Sequence, residues 1–263
     1  MMFSKLRYYL TLIPISLYSI KNRALMLALL FRLPTLKPTL LRFRDGTQFR
    51  VRTAMDVWVI IETYLGHTYE QNSFDIQDNW VIIDIGAGLG EFSITAAKKC
   101  PNGIVYAYEP FRESFELMQE NILLNNLVNT IVYPYAVGGI VGPMHLKTAS
   151  GVPVLYSTVM NDNLVGRHDA IVQGTTLDEI FGSFHIEKCD LIKIDCEGAE
   201  YDILFHTSSP TLQKLKRICL EYHNGITKFT HLDLVRFLEN NGFSVISKPS
   251  PVHRHTGLIF AFK

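Results

Sequence analysis

The sequence predicts an α/β fold in which helices cover both faces of a doubly wound, mostly parallel sheet. Two observations predict it. From residue 80 onward, short apolar runs alternate with segments whose apolar residues recur every three or four positions, which is the pattern of strands followed by amphipathic helices. The last two apolar runs have no helical segment between them, so we expect them to pair as an antiparallel C-terminal hairpin.

The predicted elements follow this alternation along the chain. We expect strands at residues 81–85, 104–108, 131–133, 191–194 and 218–222. We expect helices at residues 92–99, 112–125, 200–205 and 232–241, and the closing hairpin at 243–247 and 258–262. Residues 138–174 interrupt the pattern with glycine-rich turns, which indicates an irregular insertion with short strands.

The region before the first of these strands is predicted to be an extension. Residues 1–79 are expected to form helices and a hairpin, and residues 80–263 the catalytic domain. The hairpin is expected around the Asp45-Gly46 pair, because Asp-Gly favours the positive φ angles of a tight turn. Four further residues of the extension lie in a segment that could fold over a bound cofactor: Asp56, Trp58, Tyr69 and Glu70. Aromatic residues at such spacing are more often packing residues, so both interpretations stay open.

Two apolar stretches near the N-terminus bear on membrane contact. Residues 8–20 and 24–31 are apolar, but neither reaches the roughly 20 residues that a spanning helix needs. The segment 3–31 is therefore expected either to pack on the catalytic domain or to make a peripheral contact with a membrane surface. In the second case its basic side chains would face anionic headgroups: Lys5, Arg7, Lys21 and Arg23.

Charge and cysteine content limit the partners and the location. Lys and Arg together number 25, as do Asp and Glu, so the chain has no overall positive field and we expect no nucleic-acid partner. The four cysteines include no C-x-x-C pair, which favours reduced structural thiols and a cytoplasmic location.

The strongest motif is D-I-G-A-G-L-G at residues 84–90, where a predicted buried strand enters a glycine-rich turn. Glycines let the backbone approach a ligand at the carboxyl end of a strand. A dinucleotide-binding loop would have glycine or alanine at the position of Glu91, and a carboxylate there opposes a pyrophosphate. S-adenosylmethionine has no phosphate, and its ammonium and sulfonium suit an acidic strand end such as Asp84. The expected cofactor site comprises Asp84, Gly86, Ala87, Gly88 and Gly90.

Glu109 ends the next predicted strand, 25 residues after Asp84. This is the place of the acid that hydrogen-bonds a ribose in doubly wound folds. We expect Pro110, Phe111 and Ala136 to flank an adenine. A nicotinamide-dependent oxidoreductase is the enzymatic alternative, which Glu91 disfavours, and a non-catalytic cofactor-binding or membrane-associated scaffold is the other alternative.

A group of acids follows the predicted strand at residues 191–194. Asp195, Glu197 and Glu200 come within six residues of one another. Carboxylates this close repel one another unless a proton, a cation or a helix N-terminus compensates them. Because such arrangements cluster at functional sites, we interpret this segment as part of one.

Together these motifs resemble the FkbM family of methyltransferases. The resemblance covers about residues 40–262 and is carried by D-I-G-A-G-L-G at 84–90, Y-E-P at 108–110, Asn121 with Asn125-Asn126, T-L-D at 176–178 and L-I-K-I-D-C-E-G-A-E at 191–200. It implies the seven-stranded, Rossmann-like methyltransferase fold and S-adenosylmethionine as the methyl donor. It also implies O-methylation of a hydroxyl on a sugar, glycolipid or natural product, without naming the acceptor.

In that fold the strands that end near residues 194 and 222 are neighbours. The resemblance therefore implies a catalytic face formed by Asp195, Glu197, Glu221 and His223. His223 is the leading candidate for the general base that removes the hydroxyl proton. Its pKa stays open, because nearby carboxylates would raise it and burial would lower it. A divalent cation held by the same acids also stays open as an alternative.

Overall fold

The computed structural model describes residues 2–33, 38–71, 74–148, 156–158 and 170–263. The N-terminal region contains α1 (Met2–Ser19), α2 (Arg23–Leu30), β1 (Thr39–Arg42), β2 (Gln48–Val51) and α3 (Ala54–Ile60), which continues into a π-helical turn at Ile61–Leu65. β1 and β2 form an antiparallel hairpin, as the Asp45-Gly46 pair predicts.

The rest of the chain forms two further sheets and the helices that cover them. In chain order the elements are β3 (Val81–Ile85), α4 (Glu91–Lys99), β4 (Ile104–Tyr108), α5 (Arg112–Leu124), β5 (Thr130–Tyr133), β6 (Tyr135–Val137), β7 (Gly142–Thr148), β8 (Tyr156–Thr158), β9 (Ala170–Thr175), α6 (Leu177–Ser183), β10 (Leu191–Ile194), α7 (Glu200–His206), α8 (Ser209–Lys214), β11 (Arg217–His223), α9 (His231–Asn240), β12 (Ser244–Pro249) and β13 (Thr256–Phe262).

The larger sheet has, among the described residues, seven strands in the order β12-β13-β11-β10-β3-β4-β5. The five strands from β11 to β5 run parallel. β13 is antiparallel to both of its neighbours, β11 and β12. The predicted fold class is therefore confirmed, including the antiparallel C-terminal hairpin.

The register of the central strands positions the site. Ile194 at the end of β10 pairs with Ile85 at the end of β3 and with Leu220 in β11. β3 and β10 are buried on both faces and consist largely of aliphatic residues, as expected for a parallel sheet covered by helices. β3 and β10 end level, and β11 continues past Leu220 to His223, so the residues at these strand ends meet at one carboxyl edge of the sheet.

The insertion is more regular than predicted. β7 pairs with β9 from Gly142–Gly174 to Leu146–Ala170, and the smaller sheet has the order β6-β9-β7-β8 among the described residues. The glycines of this segment suggested irregular turns, but β7 is a regular strand whose alternate residues Met144 and Leu146 are buried. The remainder of the predicted insertion, residues 149–155 and 159–169, lies outside the described residues.

The N-terminal region shares a hydrophobic core with the larger sheet's helices. Leu12 of α1 and Met26 of α2 belong to the same buried cluster as Ile94 of α4 and Leu117 of α5. This packing is one of the two arrangements expected for the segment. The division of the chain at residue 79 stays a prediction. No helix in the described ranges combines the length and apolar character needed to cross a bilayer.

Two asparagine side chains fasten the hairpin to the larger sheet's helices. Asn121 of α5 accepts the Arg50 amide at 2.6 Å and donates to the carbonyl oxygen of Leu89 at 3.0 Å. Asn125 accepts the Gln48 amide and donates to the Gln48 carbonyl oxygen. Backbone groups on the outer edge of β2 are thereby paired without a further strand. The sequence drew attention to these asparagines but gave them no role.

Candidate active site

A cavity of about 780 Å³ lies at the carboxyl edge of the larger sheet. Its walls come from the loops after β3, β4 and β10, from the end of β11, from α3 and from the β12–β13 turn. The predicted site residues that line it are Gly86, Gly88, Glu109, Pro110, Ala136, Asp195, Glu197, Glu221 and His223. The other four, Asp84, Ala87, Gly90 and Phe111, do not line it among the described residues.

The glycine loop takes a backbone course that favours glycine. Gly86, Gly88 and Gly90 have φ angles of +72°, +56° and +84°. A Cβ atom on Gly86 would lie 1.9 Å from the carbonyl oxygen of Asp195. The loop can therefore lie directly against the end of β10, which brings the predicted cofactor residues and the predicted catalytic residues to one cavity.

Glu109 holds this loop from the side of β4. Its Oε2 accepts the Gly88 amide at 2.9 Å, and its Oε1 accepts the Phe111 amide at 2.8 Å. Burial raises the pKa of Glu109 to about 7, although both hydrogen bonds oppose the shift. Each carboxylate oxygen keeps acceptor capacity. Glu109 can therefore still bind a hydroxyl in the cavity.

Asp84 lies beneath the loop and not in the cavity wall. Its carboxylate is fully buried, accepts the Ser93 hydroxyl at 2.6 Å and lies 3.1 Å from Nζ of Lys193. The sequence interpretation placed the ammonium of a cofactor beside Asp84. In the structure that place is taken by Lys193, so the position of Asp84 does not offer the expected direct contact.

Lys193 is the partner that the sequence analysis missed. Its side chain is buried in the middle of β10, and its Nζ donates to the carbonyl oxygen of Gly86 at 2.7 Å. Burial alone would lower the pKa of Lys193, but the charges of Asp84, Asp195 and Glu91 raise it above its ordinary value. The ammonium thus ties the glycine loop to the central strands. The available signal was a lysine inside an otherwise apolar strand.

Glu200 shapes the loop that carries the acidic residues. This fully buried carboxylate accepts the Cys196 amide at 2.9 Å, and its Oε2 accepts the Gly198 amide at 2.9 Å. Between them Glu197 has a φ of +51°, which is uncommon for a residue with a side chain. On the other side, Asp195 accepts the hydroxyl of Tyr69 at 2.8 Å.

His223 faces two of these carboxylates. Its Nδ1 lies 3.1 Å from Oε1 of Glu200, and its Nε2 lies 3.4 Å from Oε2 of Glu197. Burial lowers its pKa, but the hydrogen bond to Glu200 and the charges of Glu200, Asp195 and Glu197 outweigh burial and raise it to about 10. His223 is therefore an imidazolium at neutral pH in this arrangement. In that form it donates hydrogen bonds and cannot accept a proton.

The pKa values of two carboxyl groups near His223 are raised as well, but their cause is burial, which disfavours the charged form of a carboxylate. Burial raises the pKa of Glu197 to about 7, against the lowering effect of His223. The pKa of Glu221 is also raised, first by burial and then by the charge of Asp195. Carboxyl groups with pKa values this high are good proton acceptors once they ionise. The cavity therefore holds acid–base groups suited to neutral pH.

Three of the same groups have a spacing that suits a metal ion. One ligand atom each from Asp195, Glu197 and His223 lies within 4.8 Å of the other two. Oxygen and imidazole donors are compatible with Mn²⁺ and other first-row divalent ions. Among the described residues this geometry keeps the cation alternative open.

The cavity also contains residues that the sequence analysis did not assign to the site. Tyr69, Asp56 and Trp58 line it; the sequence left open whether their segment folds over the cofactor or only packs. Glu91 also lines it; burial raises its pKa to about 8, and its Oε2 accepts the Leu89 amide at 3.1 Å. A capping box between Thr53 and Asp56 begins α3, which forms one wall of the cavity. The T-x-x-D spacing in the sequence was the signal that could have predicted the start of this helix.

Residues 84–245 match the family described as the methyltransferase FkbM domain. The chain is 24% identical over 224 residues to the AMB antimetabolite synthetase AmbE of Pseudomonas aeruginosa, a match that covers 72% of this chain but 10% of that protein. It is 22% identical over 201 residues to Methyltransferase 1 of Beauveria bassiana, covering 70% of this chain and 79% of that protein.

Two further comparisons agree with that family. The 31-O-demethyl-FK506 methyltransferase FkbM of Streptomyces tacrolimicus is 18% identical over 223 residues, which covers 74% of this chain and 84% of that protein. The crystal structure of the methyltransferase FkbM from Methylobacillus flagellatus is similar with a TM-score of 0.52 and 15% identity, covering 91% of this chain and 59% of that one. At that identity the structural similarity bears on the fold alone.

Proposed function

Since this chain belongs to the FkbM family of methyltransferases, we propose that it transfers a methyl group from S-adenosylmethionine to a hydroxyl oxygen of a small-molecule acceptor such as a sugar, glycolipid or natural product. One observation carries the proposal. The glycine loop and Glu109 line the same cavity as the acidic residues and His223. A donor site and a proton-accepting site are thus adjacent, as methyl transfer to a hydroxyl requires.

The donor end of the cavity is the part lined by Gly86, Gly88 and Glu109. When bound there, S-adenosylmethionine supplies a methyl group on a positively charged sulfur. Glu109 would accept hydrogen bonds from the ribose hydroxyls, and Pro110 and Ala136, which line the cavity, would flank the adenine. We assign to Glu91 the role first given to Asp84, because Glu91 lines the cavity and a bound ammonium group would favour its charged form.

The acceptor end is the part lined by Asp195, Glu197, Glu221 and His223. We assign proton removal to Glu221, because its raised pKa makes it a better proton acceptor than an ordinary carboxylate. His223, as an imidazolium, would hold Glu200 and Glu197 through its two N–H groups. Asp195 is oriented by Tyr69 and would accept a hydrogen bond from a second acceptor hydroxyl.

The Glu109→Ala variant is expected to bind S-adenosylmethionine roughly 10- to 100-fold more weakly, because it loses charge-assisted hydrogen bonds that contribute about 1.5–3 kcal/mol each. Titration calorimetry measures this directly. The matched control is Glu187→Ala, whose side chain is 86% exposed and should leave affinity unchanged. If the two variants bind the donor equally well, Glu109 does not contact it.

The proposed reaction is tested by incubating the purified protein with donor labelled in its methyl group and with an extract of cells that carry the gene. Mass spectrometry then identifies the labelled products. We expect label on a hydroxylated small molecule, glycan or glycolipid. Label found solely on protein or nucleic acid would refute the acceptor class, and tight binding of NAD without donor binding would favour the oxidoreductase alternative.

A further inference from the structure

From Leu10 onward in α1 and from Ala24 onward in α2, the helices are apolar on the side that faces away from the protein as well as on the packed side. Residues 8–20 and 24–31 contain no charged side chain. Leu12 and Ser16 form the buried side of α1, and Ile20, directly after the helix, is buried as well. Such a helix on the surface of a globular protein normally presents polar residues outward, so the outer face needs a separate explanation.

The outer face of α1 is a continuous apolar stripe. Leu10, Pro14 and Tyr18 recur every four residues and so share one side of the helix. All three are exposed, Leu10 by 62% and Tyr18 by 72%. The stripe therefore presents large apolar side chains to the surroundings.

α2 and the residues after it continue this apolar surface. Met26 and Leu29 are buried, whereas Leu27, Phe31 and Leu33 are exposed, Phe31 by 74%. Of the 18 large apolar side chains exposed in the described structure, seven lie between residues 10 and 33. Single exposed apolar residues are ordinary, but such a concentration marks a surface that interacts with something apolar.

The same end of the chain is strongly basic. Residues 1–52 contain ten Lys and Arg side chains and one acidic side chain, Asp45, whereas the remaining residues contain 15 basic and 24 acidic side chains. The overall balance of charge therefore conceals a large asymmetry. Asp45 itself accepts hydrogen bonds from the hydroxyl of Tyr64 and the amide of Thr47.

Four exposed basic residues lie around the turn between α1 and α2. Lys21 and Arg23 flank the turn itself, and the Lys21 amide donates to the carbonyl oxygen of Arg42. The amide of Arg44 donates to the carbonyl oxygen of Ser19, and its guanidinium lies 5.1 Å from the ring of Tyr18. Within the described ranges, none of the four forms an ion pair with a carboxylate.

We propose that this N-terminal docking surface binds the anionic surface of a lipid bilayer. It comprises the apolar residues Leu10, Pro14, Tyr18, Leu27 and Phe31 with the basic residues Lys21, Arg23, Arg42 and Arg44. The apolar helices lie in the interface without spanning it, and the basic residues face the headgroups. An anionic bilayer suits this combination, because its hydrocarbon core would receive the apolar side chains and its negatively charged headgroups would bind the basic ones. This docking does not depend on the proposed function.

Flotation of the full-length protein with vesicles tests the proposal. We expect binding to vesicles of phosphatidylcholine with phosphatidylglycerol, and much weaker binding to phosphatidylcholine alone or at raised salt. The Arg23→Glu/Arg42→Glu variant should lower binding roughly 10- to 100-fold, since each basic group near an anionic membrane contributes about 1 kcal/mol. The Leu10→Ser/Phe31→Ser variant should also lower it at least tenfold.

Matched controls carry the same substitutions elsewhere on the surface. Lys228→Glu/Arg236→Glu and Leu123→Ser/Val128→Ser replace exposed residues away from the docking surface and should bind vesicles as the unmodified protein does. Equal thermal unfolding of all variants shows that the fold is kept. Recovery of the unmodified protein in the soluble fraction with both vesicle types overturns the proposal. So does lipid-independent self-association that the Leu10→Ser/Phe31→Ser variant abolishes, because a second copy would then cover the surface.

Discussion

The Lys193→Met variant is expected to lose about 3–5 kcal/mol of unfolding free energy, because removing one partner of a buried ion pair leaves the other charge without compensation. Asp84 would keep only the hydrogen bond from Ser93, in a position with no access to water. The carbonyl oxygen of Gly86 would also lose its donor. Both losses fall on the junction between the glycine loop and the central strands.

Urea unfolding of matched variants measures this effect. Lys188→Met is the control, since Lys188 also pairs with an aspartate, Asp190, but its side chain is 58% exposed, and exposed pairs contribute about 0–1 kcal/mol. The double variant Lys193→Met/Asp84→Asn should be more stable than the sum of the two single variants predicts, because it removes both charges. Equal stability of Lys193→Met and Lys188→Met would show that the buried pair does not hold the loop.

The periodicity of apolar residues and the positions of turn residues were sufficient to predict the larger sheet. The strands ending at Ile85 and Ile194 and the C-terminal hairpin could be predicted because each is a short apolar run with a clear turn or helix after it. α3, α6 and α8 were missed; each has eight residues or fewer. Segments this short contain about two turns, so their helical period is weak, although α7, with seven residues, could still be predicted.

The sequence could predict a site residue only where the type of the residue and its place at the end of a strand are enough to locate it. Glu109 could be singled out because it ends a strand beside a recognisable loop, and the structure places it in the cavity wall. The pairing of Asp84 with Lys193 could not be predicted, because the two residues are more than 100 positions apart and a sequence does not show which buried charges pair. The direction of the pKa shift of His223 could not be predicted, because it depends on the buried carboxylate of Glu200, which lies 3.1 Å from Nδ1 of His223.

The Glu221→Gln variant is expected to lose roughly 10²- to 10⁴-fold in turnover at saturating donor while it keeps its affinity for S-adenosylmethionine, the effect expected when a general base is removed. The substitution keeps the shape of the side chain, so loss of the fold is not expected. Glu239→Gln on the exposed side of α9 is the control. Near-wild-type turnover of Glu221→Gln would eliminate Glu221 as the base.

The pH dependence of kcat/KM separates the candidates for the base, because this parameter reports the pKa values of the free enzyme. A base must be deprotonated to act, so activity rises with pH through its pKa. If Glu221 is the base, the rise should fall near neutral pH, above the ordinary carboxyl range, because burial and Asp195 raise its pKa. If His223 is the base, the rise should fall near pH 10.

Activity that a chelator abolishes and added Mg²⁺ or Mn²⁺ restores would instead assign the central role to a cation held by Asp195, Glu197 and His223.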